Sequence, residues 1–104
     1  MNDDPTPIEH EETPYHGEFT IGRRAIMTYR KVGAGYIEVN HTRVAGEARG
    51  QGLAAKLYRA MVRHARANDL QVTSSCSYVT RMFERFPEDR DVLRDEPEVK
   101  PCSN

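Results

Sequence analysis

Apolar and polar residues alternate along the chain from Tyr15 to about Val44. Phe19 and Ile21 sit between polar neighbours, Ala25, Met27 and Tyr29 repeat the pattern, and Ile37 and Val39 continue it towards Val44. A period of two is what a strand with one buried face produces, because successive side chains point to opposite sides. The alternation predicts three antiparallel strands near 17–22, 24–31 and 35–44, with hairpin turns at Gly22 and at Gly33 to Gly35.

The period then changes. Leu53, Leu57, Met61 and Ala65 recur at every fourth residue with Ala54, Tyr58 and Val62 beside them, which predicts a helix over about 51–68. Asn68-Asp69 reads as its end. Leu70 to Ser74 reads as a short strand, which a crossover through the helix would set parallel to the 35–44 strand. Tyr78, Val79, Met82, Phe83 and Phe86 form the apolar side of a second helix over about 78–86, which Pro87 stops. The order β-β-β-α-β-α predicts an α+β fold, a mixed and mostly antiparallel sheet with helices on its faces.

Both ends lack such periods. Residues 1–14 are rich in proline and acid, with Ile8 as their large aliphatic side chain, and residues 95–104 resemble them. Both are expected to be disordered tails flanking a single domain over 15–94, and Cys102 is expected to be an exposed thiol without function.

Charge narrows the function classes. Fifteen basic and 16 acidic residues leave a net charge of −1, so no overall field draws in nucleic acid or anionic lipid. Lys56, Arg59, Arg63 and Arg66 do form a basic stripe on the long helix. A nucleic-acid helix would show such a stripe, and so does an ordinary solvated face, which the balanced charge favours. No apolar run reaches membrane-spanning length and the first residues lack a basic-then-apolar leader, so a cytoplasmic protein is expected. The two cysteines are expected to be free thiols in a reducing compartment. No Cys/His spacing suggests a zinc site, and no metal is expected.

One stretch points to chemistry. Arg49-Gly50-Gln51-Gly52-Leu53-Ala54 follows the strands and opens the long helix. A helix start presents backbone N–H groups without intrahelical partners and about half a positive charge, so an anion there is stabilised. Arg49 adds a fixed guanidinium, and the two glycines let phosphate oxygens approach the amides. The stretch reads as a pyrophosphate cradle. It also matches the dinucleotide pattern G-x-G-x-x-G/A, with Asp69 near the distance of a ribose-binding acid. That reading needs the loop after a first strand and several further βαβ units, whereas here it follows a meander with one crossover. No G-x-x-x-x-G-K-[ST] is present, which excludes a P-loop.

Read as Arg49-x-x-Gly52-x-Ala54, the same loop resembles the [RQ]-x-x-G-x-[GA] loop of the GCN5-related N-acetyltransferases. His41-Thr42-x-Val44, the segment from Arg49 to Leu57, the Leu70 strand, Cys76 and the aromatic helix ending in Pro87 are similar to the roughly hundred-residue acetyltransferase-like subfamily over about 17–94. Two positions depart from that pattern: Arg43 stands where an acid is usual, which bears on substrate preference, and Ser75 precedes the cysteine where proline is common.

The resemblance implies that acetyl-CoA binds with its pyrophosphate on the amides of Arg49, Gly50, Gln51, Gly52, Leu53 and Ala54. Its pantetheine arm would run between the strand ending at Val44 and the strand ending near Cys76. It implies acetyl transfer to an amine, with small amines, peptide N-termini and protein lysines all open as acceptors. It also implies an open acceptor side, which a partner or a second copy of the chain, as a homodimer, would complete.

Cys76, expected between a strand end and a helix start where thiol acidity is often raised, could protonate the departing thiolate or take the acetyl group, or pack as a small buried residue. His41 has the chemistry of a general base, and Glu47 could act as one through water. Tyr78 could act as an acid or line the channel. The alternative function is a non-catalytic acyl-CoA-binding or regulatory module with the same fold.

Overall fold

A computed structural model describes residues 7–94. Strands β1 (Glu9–Glu12), β2 (His16–Ile21), β3 (Ala25–Gly33) and β4 (Tyr36–Val44) form an antiparallel meander. Helix α1 (Leu53–Ala67) then crosses to β5 (Gln71–Ser74), which lies parallel to β4, and α2 (Ser77–Arg85) follows. The sheet order is β1-β2-β3-β4-β5. The α+β fold, the mostly antiparallel sheet and the parallel final pair are those the alternation indicates.

One face of the sheet is apolar because the inward positions of the period-two pattern are Phe19, Ile21, Ala25, Met27, Tyr29, Ile37 and Val39. Helix α1 covers it with Leu53, Leu57, Tyr58, Met61, Val62 and Ala65, all buried. Helix α2 adds Val79, Met82 and Phe83, and Phe83 meets the Tyr58 ring edge-on at 5.4 Å between centroids. The outward residues of the same strands, Glu18, Thr20, Thr28, Arg30 and Glu38, leave the opposite face polar. Past α2, a 3-10 turn over Pro87–Asp91 brings the chain back beside β5. There Val72 N–H donates to Val92 O (2.7 Å) and Arg94 N–H donates to Val72 O (2.7 Å), covering the outer edge of β5.

Strand β1 corrects the expectation of a disordered tail over residues 1–14. Its sequence, Glu-His-Glu-Glu, shows no apolar alternation because its inward side chain is a histidine. His10 pairs with Phe19 across the strands, and their rings stack at 4.2 Å. His10 Nε2 lies 2.6 Å from the Tyr29 hydroxyl, which donates to Glu12 Oε1 at 3.1 Å. Glu12 also pairs with Lys31 Nζ at 2.9 Å, and this contact holds its carboxyl below the usual range. A polar network on a buried tyrosine therefore does for β1 what apolar burial does for the other strands. The remaining residues expected to be tails, 1–6 and 95–104 with Cys102, lie outside the described residues.

Candidate functional site

The cradle is built where β4 gives way to α1. Ala45 N–H donates to Arg24 O (2.8 Å), and a 3-10 turn over Gly46–Ala48 buries Ala48 in the core. Leu53 is buried as the first residue of α1, so Arg49 to Gly52 form an exposed arch between two apolar anchors. Gly50 and Gly52 have φ values of +85° and +74°, in the left-handed region that side chains rarely adopt. A Cβ at either would meet nothing within 4 Å, so it is the backbone turn and not crowding that demands glycine, and the space above the arch is open.

Gly52 is the N-cap of α1 and provides no side-chain cap, and the first turn holds no acid. The Lys56 N–H reaches Gly52 O at 3.1 Å, which leaves the amides of Leu53, Ala54 and Ala55 as the unpaired start of the helix. The residues present therefore fit a diphosphate: clear space, free amide donors and an exposed guanidinium at Arg49. Arg24 Nη1 donates to Gln51 Oε1 at 3.4 Å, tying the arch to the turn between β2 and β3.

A gap opens beside the cradle. The pairing of β4 with β5 ends at Val39 and Ser74, closed by Ser75 N–H donating to Val39 O (3.0 Å). Strand β4 continues to Val44. Its register against β3 slips between the Thr28–His41 and Tyr29–Val39 pairs, so Asn40 is an extra residue, a bulge that bends the strand. Among the described residues no strand pairs with the β5-facing edge of β4 beyond Val39.

Cys76 faces this gap. It is the N-cap of α2, half-buried, with its Sγ donating to Thr42 Oγ1 at 3.5 Å. Its turn is held by Ser74, whose hydroxyl donates to Cys76 O (2.8 Å) and accepts from Cys76 N–H (3.1 Å). Hydrogen bonds from Ser75 and Arg30 hold the Glu38 carboxyl below its usual range, which fastens the same turn to the sheet. Tyr78 lies half-buried in the first turn of α2. Burial pushes its phenol above the ordinary value, Arg59 and Arg85 pull it back, and Cys76 adds to the rise. Cys76 and Tyr78 are thus brought into one neighbourhood with a protonated phenol.

His41 is placed apart from them. It sits opposite Thr28 on the open face, whereas Thr42, the next residue, turns towards Cys76. Glu47 is exposed in the 3-10 turn ahead of the arch. Val44 closes β4 at the arch, half-buried against the core. The basic stripe is divided: Arg66 is paired with Asp89 and Asp91, at 3.4 and 2.6 Å. Thr42 and Ser74, which hold the Cys76 thiol and its turn, are positions that sequence reasoning does not single out, since a hydroxyl in a strand reads as an ordinary outward position. The bulge at Asn40 shows in the sequence only as a change of phase, from Ile37 and Val39 to Val44.

A meander feeding one parallel β-α-β unit, with an open glycine arch at the helix mouth and a thiol beside the strand gap, defines an acetyltransferase-type α+β domain. A family model described as GCN5-related N-acetyl-transferase matches residues 16–92, and the chain belongs to that family. The chain is 28% identical over 86 residues to Protein NATD1 of Gallus gallus, covering 78% of each, and equally identical to Protein NATD1 of Homo sapiens, covering 76% of that protein. It resembles the solution structure of a GCN5-like protein from Staphylococcus aureus with a TM-score of 0.65 and 32% identity, over 86% of this chain and 91% of that one. The ribosomal-protein-alanine N-acetyltransferase of Brucella melitensis shares the fold with a TM-score of 0.61 at 9% identity, over 88% of this chain and 71% of that one. Among the described residues no helix is long and apolar enough to cross a membrane.

Proposed function

We propose that the protein is an N-acetyltransferase that moves an acetyl group from acetyl-CoA to an amine. The observation that carries this reading is the open arch of Arg49 to Gly52 at the uncapped start of α1, with two left-handed glycines and vacant space above them. In this reading Arg49, Gly50, Gln51, Gly52, Leu53 and Ala54 hold the diphosphate of acetyl-CoA through backbone amides and the guanidinium. The unpaired edge of β4 up to Val44 offers main-chain groups to the pantetheine amides, as a sheet edge does to an added strand.

The bound thioester supplies an activated acetyl carbonyl. The amine nitrogen forms a bond to the carbonyl carbon as the carbon–sulfur bond breaks, the amine proton passes to a base, and the departing thiolate takes a proton. Tyr78, kept protonated by burial, and the Cys76 thiol both lie on the gap side and suit the last task. His41, on the open face of β4, and Glu47, in the turn ahead of the arch, are the candidate bases for removing the amine proton. The second reading, an acyl-CoA-binding module with little catalysis, draws on the placement of His41 across β4 from Cys76.

Calorimetric titration with acetyl-CoA, CoA and NADH tests the proposal, with Gly52→Val beside the parent chain. Binding of the CoA species alone, lost in the variant, is the expected result. Equal binding by parent and variant, or binding of NADH, would overturn the cradle assignment.

A further inference from the structure

The polar network that anchors β1 also assembles a donor set. His10 and Glu12 on β1 and His64 on α1 bring a ring nitrogen, a carboxylate oxygen and a second ring nitrogen within 4.8 Å of one another. The donors come from two elements about 50 residues apart in sequence, so no spacing rule finds them. Phe19 stacks under His10 and lies edge-on to His64 at 5.7 Å, giving the cluster an apolar floor. The Tyr29 hydroxyl touches both His10 and Glu12, and the Asn68 amide nitrogen lies 3.3 Å from His64 Nδ1 and donates to His64 O at 2.9 Å, so neighbours position both imidazoles.

We propose that His10, Glu12 and His64 bind one divalent transition-metal cation of the zinc type. Two imidazoles and one carboxylate suit Zn2+, Co2+ or Ni2+ over the harder Mg2+ and Ca2+. Tetrahedral bonds of about 2.0–2.1 Å place donor atoms about 3.3 Å apart, and the exposed Glu12 side chain can swing to make up the difference. Glu12 and His64 also line a cavity of about 360 Å³ with Tyr29, Lys31, Tyr36 and Asn68. A fourth coordination position would open into that cavity, the arrangement that leaves room for water or a small anionic ligand. Lys31, at 2.9 Å from Glu12, competes for the carboxylate and would be displaced. His64 lies near the far end of α1, about 16 Å along the helix from Leu53 at its start, so the site is separate from the cradle.

The test is titration of the chelator-stripped full chain with Co2+, followed by calorimetry and visible absorption, and by thermal melting with Zn2+. One equivalent should bind with d–d absorption and without a thiolate charge-transfer band, and Zn2+ should raise Tm by joining β1 to α1. Glu12→Gln and His64→Ala should each weaken binding by about 10- to 100-fold, whereas Lys31→Met should tighten it by removing the competing cation. Glu12 is exposed, so Glu12→Gln reports even if His64→Ala does not fold. CoA binding should be unchanged in Glu12→Gln. The proposal fails if no saturable 1:1 binding is seen, if a thiolate band shows that cysteine is the ligand, or if Glu12→Gln and His10→Asn bind Co2+ like the parent.

Discussion

Gly52 separates two consequences that a single substitution usually confounds, strain in the chain and obstruction of the ligand. Its φ of +74° makes alanine cost about 1–2 kcal/mol, since a Cβ in the left-handed region crowds the following carbonyl. The added methyl meets nothing within 4 Å, so strain is the whole cost to the free protein. At about 4–8 °C per kcal/mol for a domain of this size, Gly52→Ala should melt several degrees below the parent.

Gly52→Asn behaves differently. Asparagine tolerates left-handed φ better than other side chains, so stability should stay within about 0.5 kcal/mol of the parent. Its side chain would stand in the open space above the arch that the phosphate needs. Loss of one charge-assisted hydrogen bond, about 1.5–3 kcal/mol, weakens CoA binding by about 10- to 150-fold. Gly46→Ala is the control, because its Cβ meets nothing within 4 Å and its φ lies outside the left-handed region; it should alter neither property. The assay is calorimetric CoA titration paired with thermal melting of each variant. A Gly52→Asn protein as stable as the parent that binds CoA with the parent's affinity would refute the reasoning.

Other outcomes follow from particular contacts. A Cβ at Gly17 would lie 2.4 Å from the ring and hydroxyl of buried Tyr29, so Gly17→Ala should destabilise by about 1–3 kcal/mol in a denaturant titration. Cys76→Ala should leave CoA binding intact and lower turnover with an identified acceptor; full activity would make the thiol a packing residue. Tyr78→Phe should keep CoA affinity and reduce kcat if the phenol protonates the leaving thiolate. Glu38 has a carboxyl pKa below its unfolded value, so its contribution is present above about pH 4.3 and is lost as pH falls through the depressed folded value. Glu38→Gln should remove that part of the acid dependence of Tm.

The legible parts of the fold are those where side chains meet apolar partners. Phe19 through Val39 show their strands because each inward position is apolar, and Leu53 through Ala65 show their helix for the same reason. Strand β1 escapes notice because its inward residue, His10, is stabilised by stacking and by a tyrosine hydroxyl two strands away, a tertiary effect absent from any local window. The start of α1 falls at Leu53, later than expected from its periodicity, because Gly52 adopts a left-handed conformation. The arch itself is readable, since paired glycines before an apolar helix pattern mark a left-handed turn into a helix start; its proposed role as a cradle rests on that geometry. The relation of His41 to Cys76 is not readable, because it depends on which face of β4 each neighbour uses.

The two flanks of the sheet are finished in different ways. Val92 to Arg94 run along β5 and occupy its main-chain groups, whereas β1 is left uncovered by any strand among the described residues. That uncovered strand is short and carries Glu9, Glu11 and Glu12. A second chain zipping onto it edge to edge would bring like charges together, an arrangement that blocks runaway strand addition. The negative charge along β1 therefore discourages edge-to-edge strand addition at the one flank that no described segment covers.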